Sequence, residues 1–326
     1  MLKGRKRLAT LLSGAALVAA VGFVSSTPAN AEPDIDTVQA RVDRLYREAE
    51  QASERYNDAR LELRSLQRDL GLLRADQDRQ DRRLEAVRRQ VQDSVVRQYE
   101  GQNLAAMSRV VVSEDPGAFL SQLSTMSAFN DMQDQLFDDY ATELKSLDIR
   151  SAATQKRADQ VAEIDERLAA EKATADEKLA EAKTLLGELE AQQREEILSR
   201  GTVRAPSDIP ASGRAGAAIA YAMAQVGKAY VYGAAGPNAF DCSGLTMMAW
   251  AQAGVSLPHS SSAQYSSGPH VAESDLQPGD LVFYYSPISH VGMYIGNGQI
   301  VNAENPGSGI RVTGLHTMPY FGAVRP

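Results

Sequence analysis

The chain contains a single cysteine, Cys242, within the segment Asp241-Cys242-Ser243-Gly244. This segment is typical of a helix N-terminus, where unpaired backbone N–H groups and the positive end of the helix dipole favour an anion. A thiolate is stabilised there, so we expect the pKa of Cys242 to be lowered and its sulfur to be nucleophilic. The same N–H groups could hold the oxyanion of a tetrahedral intermediate.

A cysteine nucleophile needs a general base, and His290 is the candidate. Asn302 lies twelve residues later, on the second arm of a predicted hairpin. An odd-length loop around Asn297 places both side chains on one face, whereas a two-residue turn at Asn297-Gly298 would place them on opposite faces. With the odd loop, Asn302 can accept a hydrogen bond from the imidazole and orient it, and Glu304 is the alternative orienting residue.

The three other histidines, His259, His270 and His316, are predicted to be structural. No two histidines have the spacing of metal ligands, so the sequence predicts neither a metal site nor a cofactor.

A compact domain over residues 214–326 must position these residues. The sequence predicts helices over 216–226 and 241–254, an extended piece over 230–233, and strands over 281–285, 290–295 and 299–303. Tight turns at 278–280 and 296–298 separate the strands. Helices followed by an antiparallel sheet make an α+β domain.

Residues 32–200 have a different pattern. Apolar residues alternate in steps of four and three from Val38 to Leu73, which predicts a coiled coil. A second, weaker seam runs from about 130 to 200, so the two helices are expected to form an antiparallel hairpin, with a parallel homodimer as the alternative. An apolar helical tip at about 95–130 either packs on itself or docks a partner. Residues 201–213 are predicted to be a linker.

The first 31 residues are predicted to be a signal peptide. A basic segment at 3–7 precedes an apolar run and the pattern Ala29-Asn30-Ala31. An uncleaved membrane anchor is the alternative, but the apolar run is short for a spanning helix. Removing this segment takes away four positive charges and changes the formal net charge from −8 to −12. From the predicted signal peptide we expect export to the cell-wall space. From the negative charge we expect no binding of nucleic acid, because phosphate binding needs a continuous basic surface.

Four motifs of the globular domain occur together in one order. They are Tyr230-Val231-Tyr232-Gly233, Asp241-Cys242-Ser243-Gly244-Leu245, Gln277-Pro278-Gly279-Asp280-Leu281 and His290-Val291-Gly292-Met293-Tyr294-Ile295-Gly296. In order and spacing they resemble the NlpC-type cell-wall endopeptidases over the C-terminal third of the chain. The family often has His at the position of Asn302, a second Gly at Ala234 and Arg near His259.

This resemblance implies a papain-like α+β fold, with Cys242, His290 and Asn302 as the catalytic set. It also implies hydrolysis of peptidoglycan stem peptides, typically between D-γ-glutamate and diaminopimelate. Residues in or beside the motifs are expected to bind substrate. These are Tyr230, Tyr232, Asp241, Ser243, Ser260 and Ser289.

The N-terminal half resembles the coiled coils of hydrolases controlled by the FtsE–FtsX division complex, and the whole arrangement is similar to RipC-type peptidoglycan hydrolases. Because an apolar tip lies at the end of a long acidic arm, we hypothesise that the coiled coil restrains access to Cys242 until the tip docks on a membrane partner such as FtsX. Two other functions stay open: a coiled-coil scaffold whose C-terminal domain only binds wall peptides, and an amidase that uses the same nucleophile.

Overall fold

The computed structural model describes residues 35–99, 116–189, 191–199, 201–204, 206, 209 and 211–326. The predicted signal peptide and the central part of the predicted tip lie outside these residues. None of the helices in the described part of the chain combines the length and the apolar character that a membrane-spanning helix needs.

Two long helices form the N-terminal half. Helix α1 (Ile35–Tyr99) and helix α2 (Pro116–Gly187) lie side by side. Ion pairs join Arg41 to Glu181 at 2.8 Å and Asp76 to Arg150 at 2.6 Å. Residues early in α1 thus contact residues late in α2, so the helices are antiparallel and the predicted hairpin is confirmed. Its second helix begins earlier than predicted, at Pro116, a residue suited to the first turn.

The helical hairpin has its best-packed core at the end nearest the globular domain. There Val42, Leu45 and Tyr46 of α1 pack with Ala182 and Leu186 of α2. The short helix α3 (Ala191–Ser199) adds to this cluster through its buried isoleucine. A smaller cluster lies further along the hairpin and contains Ala59, Leu66 and Ile164.

The globular domain contains three helices, a 3₁₀ turn (Glu273–Asp275) and eight strands among the described residues. The helices are α4 (Gly213–Met223), α5 (Cys242–Gln252) and α6 (Ser261–Gln264). The strands are β1 (Ala229–Tyr230), β2 (Ala239–Phe240), β3 (His270–Val271), β4 (Leu281–Tyr284), β5 (His290–Gly296), β6 (Gln299–Asn305), β7 (Gly309–Gly314) and β8 (Tyr320–Val324).

Strands β3 to β8 form one antiparallel sheet in the order β3-β8-β4-β5-β6-β7. Helices α4 and α5 pack on the sheet, with Ile219, Leu245 and Trp250 buried against Phe283 and Met293. A second cluster of apolar residues includes Val282 and Tyr284. The predicted α+β architecture is therefore present, and its core holds the strand that begins at His290.

Strands β7 and β8 were not predicted from the sequence. Strand β7 is bounded by Gly309 and Gly314, and β8 follows Pro319 and contains Gly322, so neither gives a long alternating pattern. Strand β8 is formed by pairing with β4 and β3, which are distant in sequence. Within the predicted linker, Thr202 pairs with Thr313 of β7.

Candidate active site

Cys242 is the first residue of α5 and is fully buried. Asp241 caps the helix, and its carboxylate accepts a hydrogen bond from the Gly244 N–H at 2.6 Å. Gly244 must lack a side chain, because a Cβ there would collide with the carbonyl oxygen of Ala234. The cap fixes the first turn, so the thiol lies among N–H groups that have no partner within their own helix.

The β5–β6 hairpin brings His290 and Asn302 together through a β-bulge. Met293 pairs with Val301 and Tyr294 with Ile300, but the next pair is Gly296 with Gln299, which leaves Ile295 as an extra residue. The tip is thus the two-residue Asn297-Gly298 turn that was expected to separate the two side chains. The bulge restores an odd number of residues, 295–299, between the paired positions, so both side chains lie on one face.

The contact between these two residues is direct. His290 Nε2 lies 3.1 Å from Asn302 Oδ1, and the Asn302 amide donates to Thr313 Oγ1 at 2.9 Å. All three residues are completely buried. Since the amide oxygen accepts, His290 carries a proton on Nε2 and its Nδ1 faces the other way. Cys242 Sγ lies within 4.8 Å of a ring nitrogen of His290.

Helix α1 crosses this site and places carboxylates on both candidate catalytic groups. Glu50 Oε1 lies 2.6 Å from His290 Nδ1. Glu54 Oε1 accepts from Ser243 Oγ at 2.9 Å and lies 3.7 Å from Cys242 Sγ. The other Glu54 oxygen accepts from Ser261 Oγ at 2.6 Å and from the Ser261 N–H. The thiol and imidazole are therefore covered by a segment of the same chain.

Two further residues of α1 extend this contact. Asn57 Nδ2 donates to Asp241 at 3.3 Å and to Glu54 at 3.1 Å. Asp58 accepts from Ser262 Oγ at 2.7 Å and from Ser260 Oγ. We call Glu50, Glu54, Asn57 and Asp58 the polar stripe of α1. Together with the buried Ser53, these residues fall on one side of the helix.

In the covered site, the pKa values of both the thiol and the imidazole are raised, which favours their protonated forms. An active pair needs an imidazole that can take the thiol proton. Burial, followed by the nearby Glu54 and Glu50 carboxylates, raises the pKa of Cys242 well above its usual value. The expected lowering by the helix dipole is therefore wrong for this arrangement, because desolvation and like charge outweigh it. Burial lowers the pKa of His290, but Glu50 outweighs this effect and the net shift is upward. A protonated imidazole cannot accept the thiol proton.

The carboxyl groups of the stripe are also affected by burial. Burial and then repulsion by Asp241 raise the pKa of Glu54 to about 7. Burial likewise raises the pKa of Glu50, against the opposing attraction of His290. The two groups thus cost free energy when they are ionised and enclosed.

The residues expected to bind substrate line the same region, but most of them have partners. Ser243 and Ser260 contact the polar stripe, and Asp241 is the helix cap. Tyr230 packs edge-to-face on Tyr232, whose hydroxyl donates to the Tyr46 carbonyl of α1 at 3.2 Å. The buried Ser289 hydroxyl has no hydrogen-bond partner among the described residues.

Two residues considered from the sequence have specific partners in the structure. Glu304, the alternative orienting residue, pairs with Arg311, and Asn302 occupies the position beside His290. His259, which was assigned only a structural role, contacts both oxygens of Asp241 at 2.8 and 3.0 Å. It therefore contacts the residue that directly precedes the candidate nucleophile Cys242.

The polar stripe was missed by the sequence analysis. Its residues lie between the apolar seam positions Ala49, Ala52 and Ala59, and the heptad pattern was interpreted from those alone. A signal was nevertheless present. Glu50, Glu54 and Asn57 recur at steps of four and three, which places them on one helix face next to a seam of small alanines.

A cavity of about 230 Å³ remains between the hairpin and the globular domain. Its lining includes Tyr46 and Glu50 of α1 and Tyr232, Tyr285 and Glu304 of the domain. It therefore borders Glu50, the residue whose carboxylate contacts His290.

Comparison with known proteins gives one consistent family. Residues 227–323 match the model of the NlpC/P60 family. A probable endopeptidase of Corynebacterium glutamicum is 46% identical over 116 residues, which are 36% of this chain and 56% of that protein. A probable endopeptidase p60 of Listeria seeligeri is 51% identical over 100 residues, which are 30% of this chain and 19% of that protein.

Among solved structures, the NlpC/p60 domain of the peptidoglycan hydrolase SagA is 32% identical. The match covers 34% of this chain and 98% of that one, with a TM-score of 0.33. The chain spans between about a fifth and little more than half of the length of the two curated relatives. Cys242, His290 and Asn302 all fall within the matched residues, and the C-terminal part of the chain is an NlpC/P60 domain.

Proposed function

We propose that the chain is an exported peptidoglycan endopeptidase that cleaves stem peptides with Cys242 as nucleophile. One observation carries this proposal: the only thiol of the chain begins a helix beside a His290–Asn302 pair, within an NlpC/P60 domain. The curated relatives named above are called probable endopeptidases, and SagA is called a peptidoglycan hydrolase. The D-γ-glutamyl–diaminopimelate bond is the proposed site of cleavage.

The mechanism requires His290 to lose the proton that Glu50 holds on it. In the open site, Nδ1 takes the thiol proton as the Cys242 sulfur attacks the peptide carbonyl. Asn302 keeps the ring oriented through Nε2. The N–H groups of the first turn of α5 stabilise the oxyanion. His290 then protonates the leaving amine, and water, activated by the same residue, hydrolyses the acyl-enzyme.

The contacts of Glu54 support an acidic substrate. In the covered site, the Ser261 N–H and the hydroxyls of Ser261 and Ser243 donate to one carboxylate. A glutamate linked through its γ-carboxyl presents a free α-carboxylate next to the bond that is cleaved. Glu54 therefore occupies a position that suits this group of the stem peptide.

The test is the release of soluble fragments from purified cell walls by a chain that begins at Glu32. We expect Cys242→Ala to abolish release while the melting temperature stays close to that of the unchanged protein. Undiminished release would overturn the nucleophile assignment. Fragment masses separate a peptide-bond endopeptidase from an amidase that cuts between sugar and peptide. A scaffold that only binds wall peptides would be indifferent to alkylation of the thiol.

We also propose that the hairpin restrains this activity until a membrane partner such as FtsX releases it during cell division. The motive is the position of Glu50 and Glu54 on the thiol and imidazole. The globular domain, residues 212–326, is then expected to be more active on cell walls than the longer chain. Equal activity of the two would contradict the restraint.

A further inference from the structure

One residue of the polar stripe, Glu50, and the two candidate catalytic residues together form a set of possible metal ligands. Glu50, Cys242 and His290 each offer a ligand atom, these atoms lie within 4.8 Å of one another, and all three residues are buried. Glu54 Oε1 lies 3.7 Å from Cys242 Sγ but does not belong to this set of mutually close ligand atoms. The ligands come from two separate parts of the chain, α1 and the globular domain.

We infer that the covered site binds Zn²⁺ through Glu50, Cys242 and His290, and that the ion ties α1 to the NlpC/P60 domain. Thiolate, imidazole and carboxylate are the donors that zinc accepts. Three protein ligands leave the fourth position of a tetrahedral site to water, and the ion occupies both groups that the peptidase reaction needs. The inference rests on the proposed covering of the site by α1, but it does not require the chain to be a peptidase.

The spacing of the donors fits this ion. A tetrahedral zinc site places oxygen and nitrogen ligands roughly 3.3 Å apart, and sulfur and oxygen slightly further. The ligand atoms of Glu50, Cys242 and His290 lie within 4.8 Å of one another, so small side-chain rotations bring them to that spacing. Glu50 Oε1 and His290 Nδ1 are closer, at 2.6 Å, because they share a proton. Replacing this proton by the metal requires the pair to separate by a few tenths of an ångström.

The surroundings of His290 are those of a metal-binding imidazole. Its Nε2 donates to Asn302, which is itself held by Thr313, so the ring is fixed with Nδ1 directed at Glu50. Metal-bound histidines usually donate their second N–H to such a partner. The same enclosure holds three carboxyl groups and two histidines: Glu50 contacts His290 and Asp241 contacts His259. The third carboxyl group, that of Glu54, is paired with the hydroxyls of Ser243 and Ser261 instead. A divalent cation would compensate the excess negative charge.

The binding step is balanced as an exchange of protons for the ion. Zn²⁺ enters, and two protons leave: the thiol proton of Cys242 and the proton shared by Glu50 and His290. No bond within the chain breaks and no group is oxidised. Because the ion contacts both α1 and the domain, its removal would free the thiol and loosen the hairpin together.

The test is a titration of the metal-free chain with Co²⁺, which reports its ligands by absorption, followed by competition with Zn²⁺. We expect one Co²⁺ per chain, tetrahedral d–d bands and a thiolate-to-cobalt charge-transfer band, all lost on addition of Zn²⁺. Cys242→Ala should lose the charge-transfer band. Glu50→Gln should weaken Co²⁺ binding by at least about tenfold, since even a residue that only supports a metal ligand typically contributes that much. Asp76→Asn, a distant acidic residue of α1, is the matched control and should leave the affinity unchanged.

Absence of the charge-transfer band in the unchanged protein would overturn the proposal, as would an unaltered affinity in Glu50→Gln. Release of fragments from cell walls by the metal-free Glu50→Ala/Glu54→Ala chain is measured separately. If that chain is inactive while Co²⁺ binds as expected, the proposed function fails and the metal site stands. If that chain is active and the unchanged protein binds no Co²⁺, the metal site fails and the proposed function stands.

Discussion

The two ends of the helical hairpin carry similar sequence patterns but very different environments. Near the globular domain, Val42, Ala49 and Ala52 of α1 are completely buried. Further along the same helix, Leu84, Val87 and Val91, which continue the apolar pattern in steps of three and four, are only half-buried. In α2, the residues opposite this distal part include Met132, which is 65% exposed.

The difference shows that a seam of apolar residues does not by itself produce a core. Two helices alone cover only part of each other's apolar stripe. At the near end, α3 and the globular domain supply the missing surface, so the same pattern becomes buried there. A substitution at the end near the globular domain therefore removes packing contacts. The distal end instead exposes apolar surface of the kind that contacts another protein.

The largest effect is expected from the polar stripe itself. Replacing Glu50 and Glu54 together by alanine removes the carboxylates from His290 and Ser261, and leaves the apolar seam intact. We expect fragment release from cell walls to rise by at least about tenfold, which corresponds to little more than one kcal/mol of lost contact. The matched distal change is Asp76→Ala, which breaks an exposed ion pair with Arg150 and should leave activity unchanged. Equal activation by both changes would show that the stripe has no special role.

A second effect concerns stability. Leu45 is 5% exposed and packs in the apolar cluster of the hairpin next to the globular domain. We therefore expect Leu45→Ala to lower the free energy of unfolding by about 2–4 kcal/mol. Leu72→Ala, at an exposed position of the same helix beside the seam, should change it by less than about 0.5 kcal/mol. Chemical denaturation followed by circular dichroism measures both. Similar losses would mean that the two ends are equally packed.

A smaller effect concerns pH. The pKa of Glu54 is about 7 in the covered site, above that of a free carboxyl group. The covered arrangement therefore binds the extra proton below pH 7 and loses stability as the pH rises through this value. His290, with its pKa raised by Glu50 against the effect of burial, acts in the same direction.

We expect the equilibrium constant for opening of the hairpin away from the globular domain to rise with pH. The ionisation of Glu54 alone contributes up to about tenfold between about pH 6 and about pH 8. Small-angle X-ray scattering measures it as an increase in the radius of gyration. Glu54→Gln is the control, since it cannot ionise and should reduce the pH dependence to the contributions of Glu50 and His290. A hairpin that opens more at the lower pH would contradict the assignment.

Residue types and spacing were enough to predict the helical hairpin, the α+β domain and the closeness of His290 and Asn302. They were not enough to predict the environment of Cys242. The helix N-terminus is a local feature and can be read from Asp241 to Gly244. Burial by Glu50 and Glu54 depends on a contact between residues nearly two hundred positions apart. No local pattern encodes the direction in which the hairpin lies across the domain.

The turn of the β5–β6 hairpin was predicted for the right reason but with the wrong geometry. The parity argument required an odd loop, and the structure meets it with a two-residue turn and one bulge. A bulge has a weak sequence signal, because any residue can be the unpaired one. The requirement on the side chains was therefore predictable, whereas the backbone solution was not.

The bulge at Ile295 also limits which changes of length this segment tolerates. Loss or gain of a single residue between Tyr294 and Ile300 turns either His290 or Asn302 to the opposite face, although the strands can still pair. Changes of two residues keep both side chains on one face. Related domains are therefore expected to differ in the length of this turn by two residues rather than by one. A domain that differs by one residue would still fold, but its histidine would not be oriented by the asparagine.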